Sequence, residues 1–224
     1  MAKKGLIITI DGGDRSGKHT QATLLYDSLN SHGYKAELLD FPQYDTFTGE
    51  LVKDYLSGNF GSKEQLGAKL PSLLYAVDRY AQKEKLCNWL NDGKIIVLDR
   101  YTESNMAFQS AKLPSSERKA YLGWLDHLEY SLLGLPRSDV VLYLHVPYSF
   151  AEQMALKEES ETGKKHDIHE KDQDFQKKVI ETYLELAKEK NWDVIECVEG
   201  ERLLSRTEIS NKIWSLLLPK LPKQ

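Results

Sequence analysis

The chain has no apolar run long enough to span a bilayer, and it is poor in cysteine. A membrane-crossing helix needs roughly 20 consecutive apolar residues, so no membrane partner is expected. The 2 cysteines, Cys87 and Cys197, lie far apart without metal-ligand spacing. They read as reduced thiols of a cytoplasmic protein rather than as a disulfide or zinc framework. Positive charge is not in excess either. A formal net charge of -4 argues against nucleic-acid backbones as partners, because these call for clustered cations; it leaves room for a pocket lined locally with arginine. Linkers rich in Gly, Pro or Ser are missing, as are internal repeats, so nothing divides the chain. Its first ten residues run straight into Asp11, Asp14, Arg15 and Lys18 with no small-residue cleavage site, unlike a signal peptide. A length of 224 residues fits one domain over 1–224 that buries roughly 70% of the surface of the unfolded chain.

What is present is a regular alternation. Short runs rich in Ile, Val and Leu, without clean polar alternation, occur at residues 6–10, 36–39, 95–98, 140–146 and 194–198. Such runs suit strands covered on both faces. Helix-compatible segments separate them, at 18–31, 62–90, 115–133, 149–159, 174–190 and 207–217. Strands alternating with helices predict an α/β fold with a parallel sheet and right-handed crossovers. The segment 157–172 is dense in Lys, Glu, Asp and His. It reads either as a solvated loop or as a mobile lid between the fourth strand and the next helix.

The strongest local pattern follows the first strand: Gly12, Gly13, Asp14, Arg15, Ser16, Gly17, Lys18, His19, Thr20. It contains G-x-x-x-x-G-K between a strand and a helix, the arrangement that cradles nucleotide phosphates. Glycines let successive N–H groups curl toward phosphate oxygens, the helix N-terminus adds partial positive charge, and Lys18 reaches the β- and γ-phosphates. One position departs from the pattern. His19 stands where a Ser or Thr hydroxyl would meet Mg²⁺, and Thr20 projects about 100° further round the helix. Imidazole is a poor partner for that hard cation, so the expected metal contacts are Asp14, water and the nucleotide itself.

Arg15 inside this loop resembles the thymidylate kinases, specifically the members whose catalytic arginine lies in the phosphate loop rather than in the lid. The resemblance runs to about residue 190. It implies a three-layer P-loop kinase fold, a five-stranded parallel sheet flanked by helices with a short lid, and transfer of the γ-phosphate of ATP to dTMP with Mg²⁺. Catalysis would fall to Arg15, Lys18 and Asp14. Phe41-Pro42-Gln43-Tyr44 is similar to the segment that floors the acceptor pocket, with Tyr44 touching the acceptor phosphate. Tyr75 and Arg79, four apart on one helical face, match the pair that stacks on the base and donates to its carbonyl. Arg100, after Asp99 at a strand end, matches the arginine on the acceptor phosphate. Ser104, Asn105, Phe108 and Gln109 match the continuation, where Asn105 bonds the base and Phe108 crowds the sugar's 2′ carbon. Asp14 is expected to border this acceptor site as well. Within 157–172, Asp167-Ile-His-Glu170 resembles an acidic pattern near the sugar and metal, which makes Glu170 a second metal candidate. A homodimer through 62–90 and 115–133 is also implied.

The arginines support a site: most basic residues are lysine, while Arg15, Arg79 and Arg100 all fall at expected ligand positions, where planar bidentate recognition matters. Three other readings stay open. The acceptor could be another nucleoside monophosphate, the chain could be a nucleotide-dependent switch, or His19 could mark a catalytically impaired relative. The switch reading is weakened by the lack of a guanine-reading Asn-Lys-x-Asp motif.

Overall fold

The apolar runs become strands because both of their faces are covered. In the computed structural model, which describes residues 5–61, 63–162 and 172–222, the centre of the sheet is β1 (Leu6–Gly12). It lies between β3 (Ile95–Asp99) and β4 (Val140–His145), with β2 (Ala36–Asp40) and β5 (Asp193–Glu196) outside them. The order is β2-β3-β1-β4-β5 and every pairing is parallel. Register sets Ile10 beside Asp99 and Asp11 beside Tyr143. The carboxyl ends of β1 and β3 therefore open on the same edge, where open α/β sheets bind ligands.

Successive strand residues feed different layers. Ile8 and Ile10 pack with Ala22, Leu25 and Leu29 of α1 (Lys18–Ser31) and with Ile209, Ile213 and Leu217 of α10 (Arg206–Leu217). Ile7, Ile96 and Leu98 face the other way, against Leu86 and Leu90 of α5 (Lys83–Asn91). Tyr143 of β4 joins a third cluster with α6 (Thr102–Ser110), α7 (Ser115–Asp126) and α9 (Gln173–Lys190). This is the three-layer arrangement expected, and burial of whole Ile, Leu and Val side chains at roughly 1.5–3 kcal/mol each is its main driving term.

Some boundaries differ from the sequence-based expectation. Residues 62–90 form not one stretch but α3 (Lys63–Leu66), α4 (Lys69–Ala81) and α5. Gly67, at φ +63°, breaks the first junction, and Gln82 serves as C-cap of α4 and N-cap of α5. The helix α2 (Phe47–Leu56) and the helix α6 were not expected as such; Thr46 starts α2 by accepting from the Gly49 N–H at 3.1 Å, the usual N-cap device. The last strand stops at Glu196, because Val198 turns into a small hairpin, β6 (Val198–Glu199) with β7 (Arg202–Leu203). Residues 115–133 split into α7 and a π-helical turn at His127–Leu132. The helix α8 (Tyr148–Thr162) enters the segment read as a lid, and Asp172 at its far end caps α9 by accepting from the Phe175 N–H at 2.9 Å. Glu170 lies outside the described residues.

Candidate active site

The loop between β1 and α1 is shaped by its glycines. A Cβ on Gly12 would lie 2.8 Å from the Leu144 carbonyl of the neighbouring strand and 2.6 Å from Ser16 Oγ, so no side chain fits. Gly17 takes φ +82°, a left-handed backbone that glycine adopts without strain. Arg15 also has positive φ, +59°, which for a non-glycine residue marks a segment held by its surroundings. Lys18 is buried, and its ammonium donates to the Gly13 carbonyl at 2.7 Å. Burial pulls its pKa down from 10.5 to about 8, and the nearby Arg100 charge pulls the same way. Ser16 Oγ is buried and finds no hydrogen-bond partner among the described residues. His19 is exposed at the rim, and its Nδ1 lies 3.2 Å from Asp99 Oδ2. Burial also holds the Asp99 carboxyl above its ordinary range, with Lys18 and Arg100 opposing the rise.

Beside this loop one pocket, of about 220 Å³, takes in every residue named above for the acceptor except Gln43. Phe41, Pro42 and Tyr44 come from the turn after β2, with the Phe41–Pro42 peptide bond cis. Tyr75 and Arg79 come from α4, while Ser104, Asn105, Phe108 and Gln109 come from α6. Asp14 and Arg100 close the end toward the phosphate loop, and Leu56 and Tyr101 complete the wall. Tyr75 meets Tyr55 edge-on at 6.2 Å between centroids, a favoured aromatic contact that fixes its ring.

Both ends of the pocket are polar networks. At the inner end, Arg79 sits in a buried ion pair with Glu129 of the π-helical turn, and its Nη1 donates to the Tyr101 carbonyl at 3.4 Å. Asn105 Nδ2 donates to Glu129 Oε1 and to the Ser72 carbonyl, each at 3.2 Å. These acceptors fix the amide's orientation and leave Asn105 Oδ1 without a partner among the described residues; Gln109 Oε1 is in the same position. At the outer end Arg100, also with positive φ at +66°, donates to Asp14 Oδ1 at 2.8 Å and to Ser104 Oγ at 3.1 Å. Its guanidinium lies 5.4 Å from the centre of the Phe108 ring. Asp14, expected at the metal, gives its other oxygen to Gln176 Nε2 at 2.9 Å. Behind Ser104, Asp11 accepts from Ser104 Oγ, from the Tyr183 hydroxyl and from the Gly12 N–H, each at 2.7 Å.

Sequence reasoning named residues that the structure gathers around one pocket and missed the groups they bond to: Asp11, Glu129, Gln176 and Tyr183. Two of these carried a signal. Asp11 is the first charge after the apolar run of β1, and Glu129 interrupts the apolar spacing Leu125, Leu128, Leu132. Among the described residues no group of three or more His, Cys, Asp or Glu side chains converges as a metal site, and no helix is long and apolar enough to cross a membrane.

The chain resembles known proteins over most of its length. The family model for thymidylate kinase matches residues 10–208. The chain is 31% identical to the thymidylate kinase of Arabidopsis thaliana, over 97% of this chain and 73% of the relative. It is 30% identical to that of Schizosaccharomyces pombe, over 96% and 92%, and 31% identical to that of Homo sapiens, over 87% and 84%. Among solved structures, thymidylate kinase from Candida albicans aligns with a TM-score of 0.74 at 27% identity, covering 97% of this chain and 92% of that one.

Proposed function

The chain belongs to the thymidylate kinase family, it transfers the γ-phosphate of ATP to dTMP to give dTDP and ADP, and we propose that its two adjoining pockets divide that work between donor and acceptor. The observation that carries this division is the single cavity beside the phosphate loop, which unites Tyr75, Arg79, Asn105 and Arg100.

On the donor side, residues Gly12 to Thr20 wrap the ATP phosphates, with backbone N–H groups and the Lys18 ammonium pointing at their oxygens. Arg15, half-buried in the same loop, stabilises charge on the transferring phosphoryl group. On the acceptor side, Tyr75 covers the base against the Phe41-Pro42 floor. Arg79 offers N–H to a base carbonyl, and the unpartnered Asn105 Oδ1 offers an acceptor to an N–H. Thymine presents that donor–acceptor order along one edge; cytosine, with a ring nitrogen acceptor in place of the N–H, leaves two acceptors facing each other, an arrangement that costs about 1–3 kcal/mol. Phe108 lies under the sugar and disfavours a 2′ hydroxyl by bulk, while Arg100, steadied by Asp14, grips the acceptor phosphate. That phosphate is already an anion, so no protein base is required, and the residues act by positioning and neutralising charge.

Mg²⁺ would neutralise charge on the nucleotide's phosphates when bound. The oxygen donors fit it: Asp99 and Asp14 lie near enough to Lys18 to shift its titration, although both Asp14 oxygens are engaged by Arg100 and Gln176. We keep Glu170 as a further candidate and 157–172 as the lid. A second copy of the chain is the proposed partner, supported by Leu70, Leu73, Val77 and Tyr80, which form an exposed apolar stripe on α4, and by exposed Leu132. The cysteines Cys87 and Cys197 are both free, which supports a reducing, cytoplasmic setting. The acceptor assignment is tested by comparing kcat/KM for dTMP, dUMP, UMP and dGMP. The expected order puts dTMP first and the ribonucleotide at least about tenfold below its deoxy counterpart; equal rates for dGMP would sink the roles given to Arg79 and Asn105.

A further inference from the structure

His19 occupies the place of the phosphate loop's metal-binding hydroxyl. In P-loop enzymes the loop Ser or Thr and an aspartate at the end of a nearby strand hold the ion together. Here that aspartate is Asp99, the last residue of β3, paired in register with Ile10 of β1. His19 Nδ1 shares a hydrogen bond with Asp99 Oδ2 at 3.2 Å. Adjacent ligands on an octahedral ion with bonds of about 2.1 Å stand roughly 3.0 Å apart, close to this hydrogen-bonded separation, so an ion taken up by both atoms would replace the hydrogen bond that now joins them. The His19 side chain is 78% exposed and Asp99 12%, which leaves the imidazole open to solvent. Among the described residues no third His, Cys, Asp or Glu joins them, so the remaining positions fall to phosphate oxygens and water, as is usual for nucleotide-bound ions.

A nitrogen at this position changes which ions fit. Mg²⁺ demands oxygen ligands and near-ideal octahedral geometry, whereas affinity for a nitrogen ligand rises along the first-row divalent ions, from Mn²⁺ through Co²⁺. We propose that His19 binds the nucleotide's divalent ion directly, next to Asp99, and that this chain therefore prefers Mn²⁺ or Co²⁺ to Mg²⁺ more strongly than the same loop with serine would. The proposal rests on the reading of the Lys18 loop as the ATP site.

The test uses the full chain with ADP and Mn²⁺. Pulsed electron paramagnetic resonance of the complex should show modulation from a bound ¹⁴N. That modulation should change when histidine alone is ¹⁵N-labelled, and it should vanish in His19→Ser. In competition binding to the ADP complex, His19→Ser should shift the Mn²⁺-to-Mg²⁺ preference toward Mg²⁺ by about 10-fold or more. ADP binding by the wild type in EDTA keeps the two readings apart, and thermal melting of His19→Ser shows that the variant folds. Failure of the wild type to bind ADP would remove the ATP-site reading itself. ADP binding without histidine nitrogen modulation, or an unchanged metal preference in His19→Ser, would overturn the ligand role of His19.

Discussion

Arg79 and Glu129 form an ion pair with almost no contact with solvent: Arg79 Nε lies 3.0 Å from Glu129 Oε2, and the side chains are 3% and 0% exposed. The same carboxylate accepts from Asn105 Nδ2. One buried acid thus orients both groups proposed to read the base. Removing one partner of such a pair leaves an uncompensated charge and costs about 3–5 kcal/mol.

Glu129→Gln should therefore separate support from contact. The amide keeps the shape but not the charge, so Arg79 and Asn105 lose their common anchor. The KM for dTMP should rise by roughly tenfold or more, with the affinity for ATP unchanged. Equilibrium binding of both nucleotides, alongside denaturant unfolding, reads this directly. Loss of stability with full dTMP affinity would show that the pair only holds the fold.

Lys18 links nucleotide binding to pH. In the free protein its pKa is lowered to about 8, first by burial and then by Arg100. Bound phosphates favour the ammonium and raise that value toward the ordinary 10.5. Below pH 8 both forms are charged and affinity for ATP is flat. Above pH 8 the free protein has lost the proton that the complex retains, so the Kd should climb by up to about tenfold per pH unit until the pKa of the complex is reached. Titration calorimetry near pH 9 in buffers of different ionisation enthalpy should report proton uptake on binding. A Kd that stays constant between pH 7.5 and 9.5 would contradict the assignment.

Much of this was legible because it is local. The loop from Gly12 to Lys18 declares itself within one strand–turn–helix step, and Tyr75 with Arg79 needs only helical spacing. The strands were legible because runs buried on both faces have a plain composition. What escaped was the partner of each charged group. Arg79 finds Glu129 50 positions away, and Asp14 finds Gln176 162 positions away; no local pattern encodes such pairings, which arise only once α4, the π-helical turn and α9 converge. Helix α6 was hidden for a related reason. Its residues Thr102 to Ser110 are nearly all buried although most are polar, so no apolar stripe of helical period marks it in the sequence.

Glu103 makes a prediction about stability rather than activity. It is 4% exposed, its Oε2 finds no partner among the described residues, and burial, helped by the charge of Asp11, lifts its pKa from 4.5 to about 7. A carboxyl with a raised folded pKa contributes stability that is complete below pH 4.5 and is lost as pH rises through 7. At about 1.4 kcal/mol per pH unit the loss is roughly 3 kcal/mol. Glu103→Gln should match wild type near pH 5 and melt on the order of 5–10 °C higher at pH 8. Melting curves that run parallel at all pH values would show that the buried acid carries no such penalty.

Arg15 bears the heaviest catalytic claim. Its backbone sits at φ +59° between Asp14 and the buried Ser16, within the phosphate loop. A guanidinium acting on charge that appears only during transfer contributes to the rate and little to ground-state binding. Arg15→Ala should therefore lower kcat by about 10³–10⁵ while leaving the Kd for ATP and for dTMP within a few-fold. Arg15→Lys should recover part of the rate at most, because an ammonium lacks the planar fork that spans two equatorial oxygens. Single-turnover ADP formation, measured with both substrates saturating, distinguishes this from a binding defect. A fall in affinity matching the fall in kcat/KM would make Arg15 a substrate anchor and move the transition-state role elsewhere.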